Sequence, residues 1–324
     1  MDRLERIPES ERSERYARLA RKALSAYGLA EARLTSLGEA ENVTFEVKTG
    51  DPSRHYALRI CGPDHDPDAL RREILWLTAI CRDTDLVVPE PILTTEGELV
   101  RRVSIAGVSG FRSCVLLRWV DGESRDRKLA PEHLRGVGRL TATLHSHAET
   151  FRWPEELTPP RRNATLMSEV LDERLLRTRY SADQLDVFRH AIERISVAMS
   201  TLRDGPRVAG VIHGQLGPRR LLFHGGEARA IGFDRCRWGY YVYDLATIRS
   251  HVAGREAGDE LVAALFDGYR SLRDLPEDVE RHLPVFSALR SIDRIQSNLA
   301  APAGRNARDL DDEYEALRRA VEAE

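Results

Sequence analysis

Apolar positions recur at helical spacing over residues 12–29, where Tyr16, Leu19, Ala20, Leu24 and Tyr27 share one face. Beyond residue 42 the period shortens to two. Val43, Phe45 and Val47 alternate with polar neighbours, Gly50-Asp51 punctuates, and Tyr56 to Ile60 reads as a returning strand. This predicts a β-hairpin behind a glycine-containing lead-in. Asp66 as N-cap and Pro67 at the first helical position then open a helix whose stripe is Leu70, Ile74, Leu77 and Cys81, with Glu73 beside it. Three further apolar runs follow, around Ile92-Leu93, from Leu99 to Ile105 and from Ser113 to Val120. Glycines at 97, 107 and 110 separate them, so they read as antiparallel strands.

Asp121-Gly122 breaks the sheet-rich part, and the helical period takes over. Leu134, Val137, Leu140, Leu144 and His147 share one face over residues 131–151, and residues 184–205 predict a second amphipathic helix ended by Gly205-Pro206. A strand-rich insert carries Val208 to Ile212, Leu221 to Phe223 and Ala228 to Phe233 before helices resume. The chain has neither an internal repeat nor a low-complexity linker. The expected fold is α+β: a small β-rich lobe over residues 1–120 and a larger helical lobe over residues 121–324. A length of 324 residues, more than one core usually spans, points to the same two-lobed division.

Composition narrows the function classes. Hydrophobic residues at 42% and charged residues at 31% are the balance of a soluble globular protein. No apolar run reaches the roughly 18 residues of a membrane span, and the charged N-terminus carries no secretory signal, so the cytoplasm is the expected compartment. A net charge of −3 leaves no whole-protein basic footprint for nucleic acid. Cys61, Cys81, Cys114 and Cys236 are too scattered for a disulfide framework or a zinc site. Lysine occurs only at 22, 48 and 128, leaving arginine to supply 46 of the 49 basic residues, a bias of the whole composition.

The segment VIHGQLGPRRLLFHGGEARAIGFDRCRWGYYVYDLATI, residues 211–248, resembles the active-site segment of the aminoglycoside phosphotransferase and choline kinase superfamily. That pattern is a catalytic loop H-G-D-x-x-x-x-N, a β-hairpin, an I-D-F metal turn and a Y-D-L-A helix start. ENVTFEV (41–47) resembles the nucleotide-loop strand, with Asn42 in it, and YALRI (56–60) resembles the strand carrying the phosphate-contacting base, here Arg59. Glu73 lies on the helix that pairs with that base, and VLLRWVDG (115–122), containing Arg118 and Val120, resembles the hinge. LTATLHSHAETF (140–151) and ALFDGYRSL (264–272) resemble segments of bacterial small-molecule kinases related to homoserine kinase and stress-response kinases. The resemblance implies a bilobal protein-kinase-like fold with a ligand in the interlobe cleft.

Three positions depart from the pattern. The catalytic aspartate falls on Gln215, the metal-binding asparagine on Arg220, and the principal metal-binding aspartate on Gly232. His213, Gly214, Pro218, Ile231, Phe233 and Asp244 stay where the family puts them, with His213 expected to brace the loop against Asp244. Each replacement adds a positive unit. Glutamine cannot act as a carboxylate base, a role usually worth about 10²–10⁴ in rate. Mg²⁺ prefers carboxylate oxygens, and two like charges about 4 Å apart repel by about 4 kcal/mol at an effective dielectric near 20. Arg219 and Arg220 instead suit an anion, since guanidinium forks bind phosphate or carboxylate without metal. Asp234 is the surviving acid of I-G-F-D and is expected to point away from the lost ligand's position.

These residues imply a kinase-fold pseudoenzyme, a pseudokinase, that requires no cofactor and binds an anionic small molecule or a nucleotide such as ATP without Mg²⁺. A protein partner or a second copy of the chain is the other candidate occupant. An atypical ATP-dependent phosphotransferase acting on a hydroxyl or amine, with Asp234 as its acid, is the alternative; a scaffold with an empty cleft is a third. Trp119, Trp238, Tyr240, Tyr241 and Tyr243 line a ligand cleft or belong to the core. His145 and His147 are a poor metal pair at a spacing of two on a helix. Glu39 and Glu41 flank the lead-in, and residues 152–180 are the expected acceptor or partner contacts.

Overall fold

The computed structural model describes residues 7–39, 42–51, 54–125, 128–158, 171–202, 205–275, 279–300 and 307–322. The chain forms two compact units, Met1–Asp121 and Gly122–Glu324.

In the first unit, α1 (Glu9–Ser25) buries Leu19, Ala20, Ala23 and Leu24. It begins three residues before the predicted span and stops ahead of Gly28, whose φ of 66° no helix continues through. The strands are β1 (Arg33–Glu39), β2 (Asn42–Lys48), β3 (His55–Cys61), β4 (Pro91–Ile92), β5 (Arg101–Val103) and β6 (Arg112–Arg118). They pair antiparallel in the order β1-β2-β3-β6-β4, with β5 also on β6. The alternation at Val43, Phe45 and Val47 turns these side chains to one face, where they pack with the buried stripe of α1.

The glycine-containing lead-in is itself strand β1, paired with β2 from Arg33↔Lys48 to Glu39↔Val43 with a register shift between Ser36 and Gly38. Its side chains are mostly exposed and its alternation is broken by the bulge, so it carried no period-two signal. Conversely, the run from Leu99 to Ile105 pairs only over Arg101–Val103.

Helix α2 (Pro67–Asp83) starts as its sequence predicts, the Asp66 carboxylate accepting from the Asp68 N–H at 2.9 Å. On β3 the burial is two-sided: Leu58 and Ile60 are buried on one face, Arg59 on the other. Arg59 is therefore a charge inside the fold, and Glu73 of α2 answers it.

The second unit holds α3 (Pro131–Thr150), α4 (Glu173–Leu176), α5 (Ala182–Thr201), α6 (Tyr241–Val252), α7 (Gly258–Arg270), α8 (Val279–Ala300) and α9 (Ala307–Glu322). Its strands are β7 (Ala209–Ile212), β8 (Leu221–His224), β9 (Glu227–Ala230) and β10 (Arg237–Tyr240), paired β7 with β10 and β8 with β9. Helices α3 and α7 meet backbone to backbone, because a Cβ on Gly138 would stand 2.1 Å from the Leu265 carbonyl and one on Gly268 2.1 Å from the Arg135 carbonyl. Two glycines thus bring the helix carrying His145 against the helix carrying Tyr269.

Helix α5 ends at Thr201, before the predicted Gly205-Pro206 stop. The predicted strand to Phe233 ends at Ala230. Gly232 then takes φ 74° and ψ 59°, and Phe233–Arg235 forms a 3₁₀ turn. Among the described residues no helix is long and apolar enough to cross a membrane.

Candidate functional site

The loop between β7 and β8 is held from below by one carboxylate. Asp244, three residues into α6 and fully buried, accepts from the His213 N–H at 2.9 Å and the Gly214 N–H at 2.8 Å. His145 Nε2 adds a third contact at 3.2 Å, and its Nδ1 lies 2.9 Å from the Tyr269 hydroxyl. Ionised Asp244 is acceptor-only, so His145 donates from Nε2 and takes the tyrosine proton at Nδ1. Burial alone would raise the Asp244 carboxyl; the hydrogen bonds from His145 and the Gly214 N–H hold it below its ordinary value. His145 was weighed in the sequence only as half of a metal pair. Its partners lie 99 and 124 positions away, and no local pattern signals them.

His213 is engaged at both ring nitrogens. Nδ1 accepts from the Gln215 N–H at 3.3 Å, and Nε2 sits 3.2 Å from the Ile231 carbonyl, which requires a proton on Nε2. The ring packs on Phe233 with centroids 4.5 Å apart. The bracing against Asp244 runs through the backbone N–H of His213, while the ring ties the loop to Ile231.

Gln215, Arg220, Gly232 and Asp234 come together in one cluster. Arg220 Nη2 donates to Gln215 Oε1 at 3.2 Å and stands 3.4 Å from Asp234 Oδ1. Its guanidinium lies over Gly232, where a Cβ would fall 2.0 Å from Nη1 and 2.6 Å from Cζ. The arginine therefore occupies the room that any side chain at 232 would need. Asp234 does not point away. The left-handed Gly232 and the 3₁₀ turn after it carry the carboxylate to the guanidinium, where it is 16% exposed. Mg²⁺ takes oxygen ligands. Among the described residues no three His, Cys, Asp or Glu side chains gather in one place, and the one carboxylate of this cluster, Asp234, faces the Arg220 guanidinium. Arg219 of the same turn is exposed.

In the first unit, Arg59 and Glu73 form a buried bidentate pair, Nη1 to Oε1 at 2.8 Å and Nη2 to Oε2 at 2.6 Å. Asn42 opens β2 opposite Cys61. Arg118 Nε donates to Glu90 at 2.6 Å, and Val120 is buried beyond the end of β6. Trp119 stacks on His55 at 4.3 Å. In the second unit Tyr241 and Tyr243 are core residues, and Trp238 and Tyr240 lie partly buried in β10. Of the 152–180 stretch, residues 159–170 lie outside the described residues, as does Glu41, and nothing is described of the Glu39 side chain. Arg177 and Arg179 engage Glu173 and Asp311 at 3.2 and 2.7 Å.

Three histidines of the second unit, His145 and His213 buried and His251 half-buried, are held neutral. Burial lowers the pKa of His145, of His213 and, aided by Arg290, Arg294 and Arg255, of His251, each from an ordinary 6.5. As pH falls through that value the unfolded chain takes up protons that the folded chain refuses. Stability is thus fully present above 6.5 and declines below it, by at most about 1.4 kcal/mol per pH unit for each histidine. Urea unfolding at about pH 7.5 and about pH 5.5 should show that loss; equal midpoints would contradict the neutral assignment.

An antiparallel sheet unit followed by a helical unit with a clamped loop after β7 defines a small-molecule phosphotransferase-like kinase fold. The microcompartment-associated aminopropanol kinase has a TM-score of 0.75 and 25% identity over 94% of this chain and 95% of that one. Amicoumacin kinase hAmiN, in complex with AMP-PNP, Ca²⁺ and Ami, has a TM-score of 0.78 and 19% identity over 96% of both chains. Plasmodium vivax ethanolamine kinase has a TM-score of 0.62 and 14% identity over 97% of this chain and 94% of that one. The last two likenesses speak for the fold alone. No curated protein matches the chain. The profile of the phosphotransferase enzyme family APH matches residues 33–282, and the chain belongs to that family.

Proposed function

We propose that this protein binds a nucleotide or another phosphate-bearing small molecule without a divalent metal and does not carry out ordinary Mg²⁺-dependent phosphoryl transfer. The carrying observation is the seat of Arg220. Its guanidinium lies over Gly232, bonds Gln215 and faces Asp234, so the three positions that the family resemblance gives to base and metal form one cationic cluster. A positioned carboxylate base is absent from Gln215, and a fixed cation stands where a mobile one would be recruited. A guanidinium recognises phosphate oxygens directly, through paired N–H donors. The nucleotide analogue bound by hAmiN supports a nucleotide as the first ligand to try.

A second reading keeps Asp234 as the acid of an atypical ATP-dependent transferase acting on a hydroxyl or amine. Its supporting observation is that Asp234 lies inside the cluster. Thermal shift with ATP, ADP and GTP, each with Mg²⁺ and with EDTA, separates the two. A ligand at a hundredfold its Kd adds about 2.7 kcal/mol, which moves the midpoint by several degrees. The expected result is a shift that persists in EDTA. A shift that requires Mg²⁺ would hand the site to the transferase reading. No shift with any nucleotide or phosphate ester would leave the fold as a scaffold for a protein partner or a second copy of the chain.

A further inference from the structure

We propose that Asp234 is the exchangeable counter-ion of Arg220, so that an incoming phosphate displaces the carboxylate and takes the guanidinium for itself. This deepens the metal-independent reading above and rests on it.

The contrast between two arginines carries the inference. Arg59 is committed: both terminal nitrogens meet Glu73 at 2.8 and 2.6 Å, and the two side chains are 8% and 4% exposed. A ligand reaching Arg59 would have to break a buried, bidentate pair. Arg220 is held loosely by comparison. Its Nη2 is shared between Gln215 at 3.2 Å and Asp234 at 3.4 Å, both longer than the 2.7–2.9 Å of a strong charged hydrogen bond. A third of the Arg220 side chain is exposed, where an ion pair is worth little and yields to a better acceptor.

The donors left over are arranged for an oxyanion. Among the described residues, Arg220 Nη1 makes no hydrogen bond; it rests against Gly232, in the room a Cβ there would need. The oxygen of Gln215 is turned to Arg220, so its amide NH₂ is directed elsewhere and has no partner among the described residues. The N–H groups of one guanidinium fork suit the oxygens of a phosphate better than a single carboxylate oxygen at 3.4 Å. In the resting protein Asp234 neutralises the guanidinium. In the liganded protein it is a like charge next to the phosphate, and it weakens binding.

The exchange predicts the sign of a substitution that a metal-ligand role reverses. Calorimetric titration of the full chain with pyrophosphate and with ATP, in EDTA and again with Mg²⁺, would be run on the wild type, Asp234→Asn, Arg220→Gln and the double variant. Asparagine keeps the shape of Asp234 and removes its charge. Its Kd should fall about fivefold in EDTA, as release of a weak competing pair allows. Arg220→Gln should lose binding, and Asp234→Asn should not restore it in the double variant. Tighter ATP than pyrophosphate assigns the contact to a nucleotide; equal affinities assign it to the phosphate group alone. An unchanged or higher Kd for Asp234→Asn would overturn the exchange while leaving metal-free binding intact. Binding that appears only with Mg²⁺ and disappears in Asp234→Asn would overturn both. So would an absence of binding in every protein tested.

Discussion

Asp244→Asn should lower the stability of the second unit by about 3–5 kcal/mol. The fully buried carboxylate receives three donors, the backbone N–H groups of His213 and Gly214 and the Nε2–H of His145. Asparagine offers one oxygen and turns an NH₂ toward the remaining donors. At least one buried N–H then faces another donor, and each such loss costs about 1–3 kcal/mol before the charge is counted. For a unit of this size the midpoint should fall on the order of 10 °C. The carboxyl's depressed pKa gives the same interaction a pH signature. Its stabilisation is present above the ordinary 3.8 and is lost as pH falls through the folded value, below the histidine limb. Denaturant unfolding of wild type and variant measures the difference directly. A change under about 1 kcal/mol would mean that the loop is held by something other than this clamp.

Glu73→Gln is the second large effect, and it falls in the other unit. Arg59 is a guanidinium at 7% exposure, and Glu73 is its bidentate acceptor at 3%. Replacing Glu73 takes the bidentate counter-ion from a buried cation, a change usually worth about 3–5 kcal/mol; glutamine keeps one oxygen and belongs at the lower end. The informative control is Arg59→Met with Glu73→Leu. Apolar replacements of similar volume often recover most of what a broken pair loses, because neither charge then has to leave water. The double variant should therefore be more stable than Glu73→Gln alone. A double variant as unstable as the single would locate the loss in packing between β3 and α2 instead of in the charge.

Much of the first unit was legible from local pattern. The alternation at Val43, Phe45 and Val47 fixed a strand and its buried face, and Asp66-Pro67 marked the start of α2 to the residue. Strand β1 escaped because an edge strand with exposed side chains and a bulge at Ser36/Gly38 has no alternating face to show. In the second unit the segment from His213 to Asp244 was recognisable by its motif residues, and with it the family. The direction of Asp234 was not. Residues two apart on a strand share a face, so the expectation that Asp234 turns away from position 232 did not follow even from a continued strand; its direction is set by the left-handed Gly232 and the turn after it, which no hydrophobic period encodes.

Periodicity, capping residues and a spaced motif are short-range signals, so the chain's order of residues was enough for the α+β class, for most of its elements and for singling out Gln215, Arg220 and Gly232 as candidates. What those positions do to one another depends on atoms that folding brings together. Arg220 lies over Gly232 and beside Asp234 because two turns, not two strands, converge there. His145 reaches Asp244 only because Gly138 and Gly268 let α3 and α7 close to backbone contact. Hydrogen bonds and ion pairs act over a few ångströms, and separations of 12 to 124 residues along the chain become distances of that size only in the packed molecule.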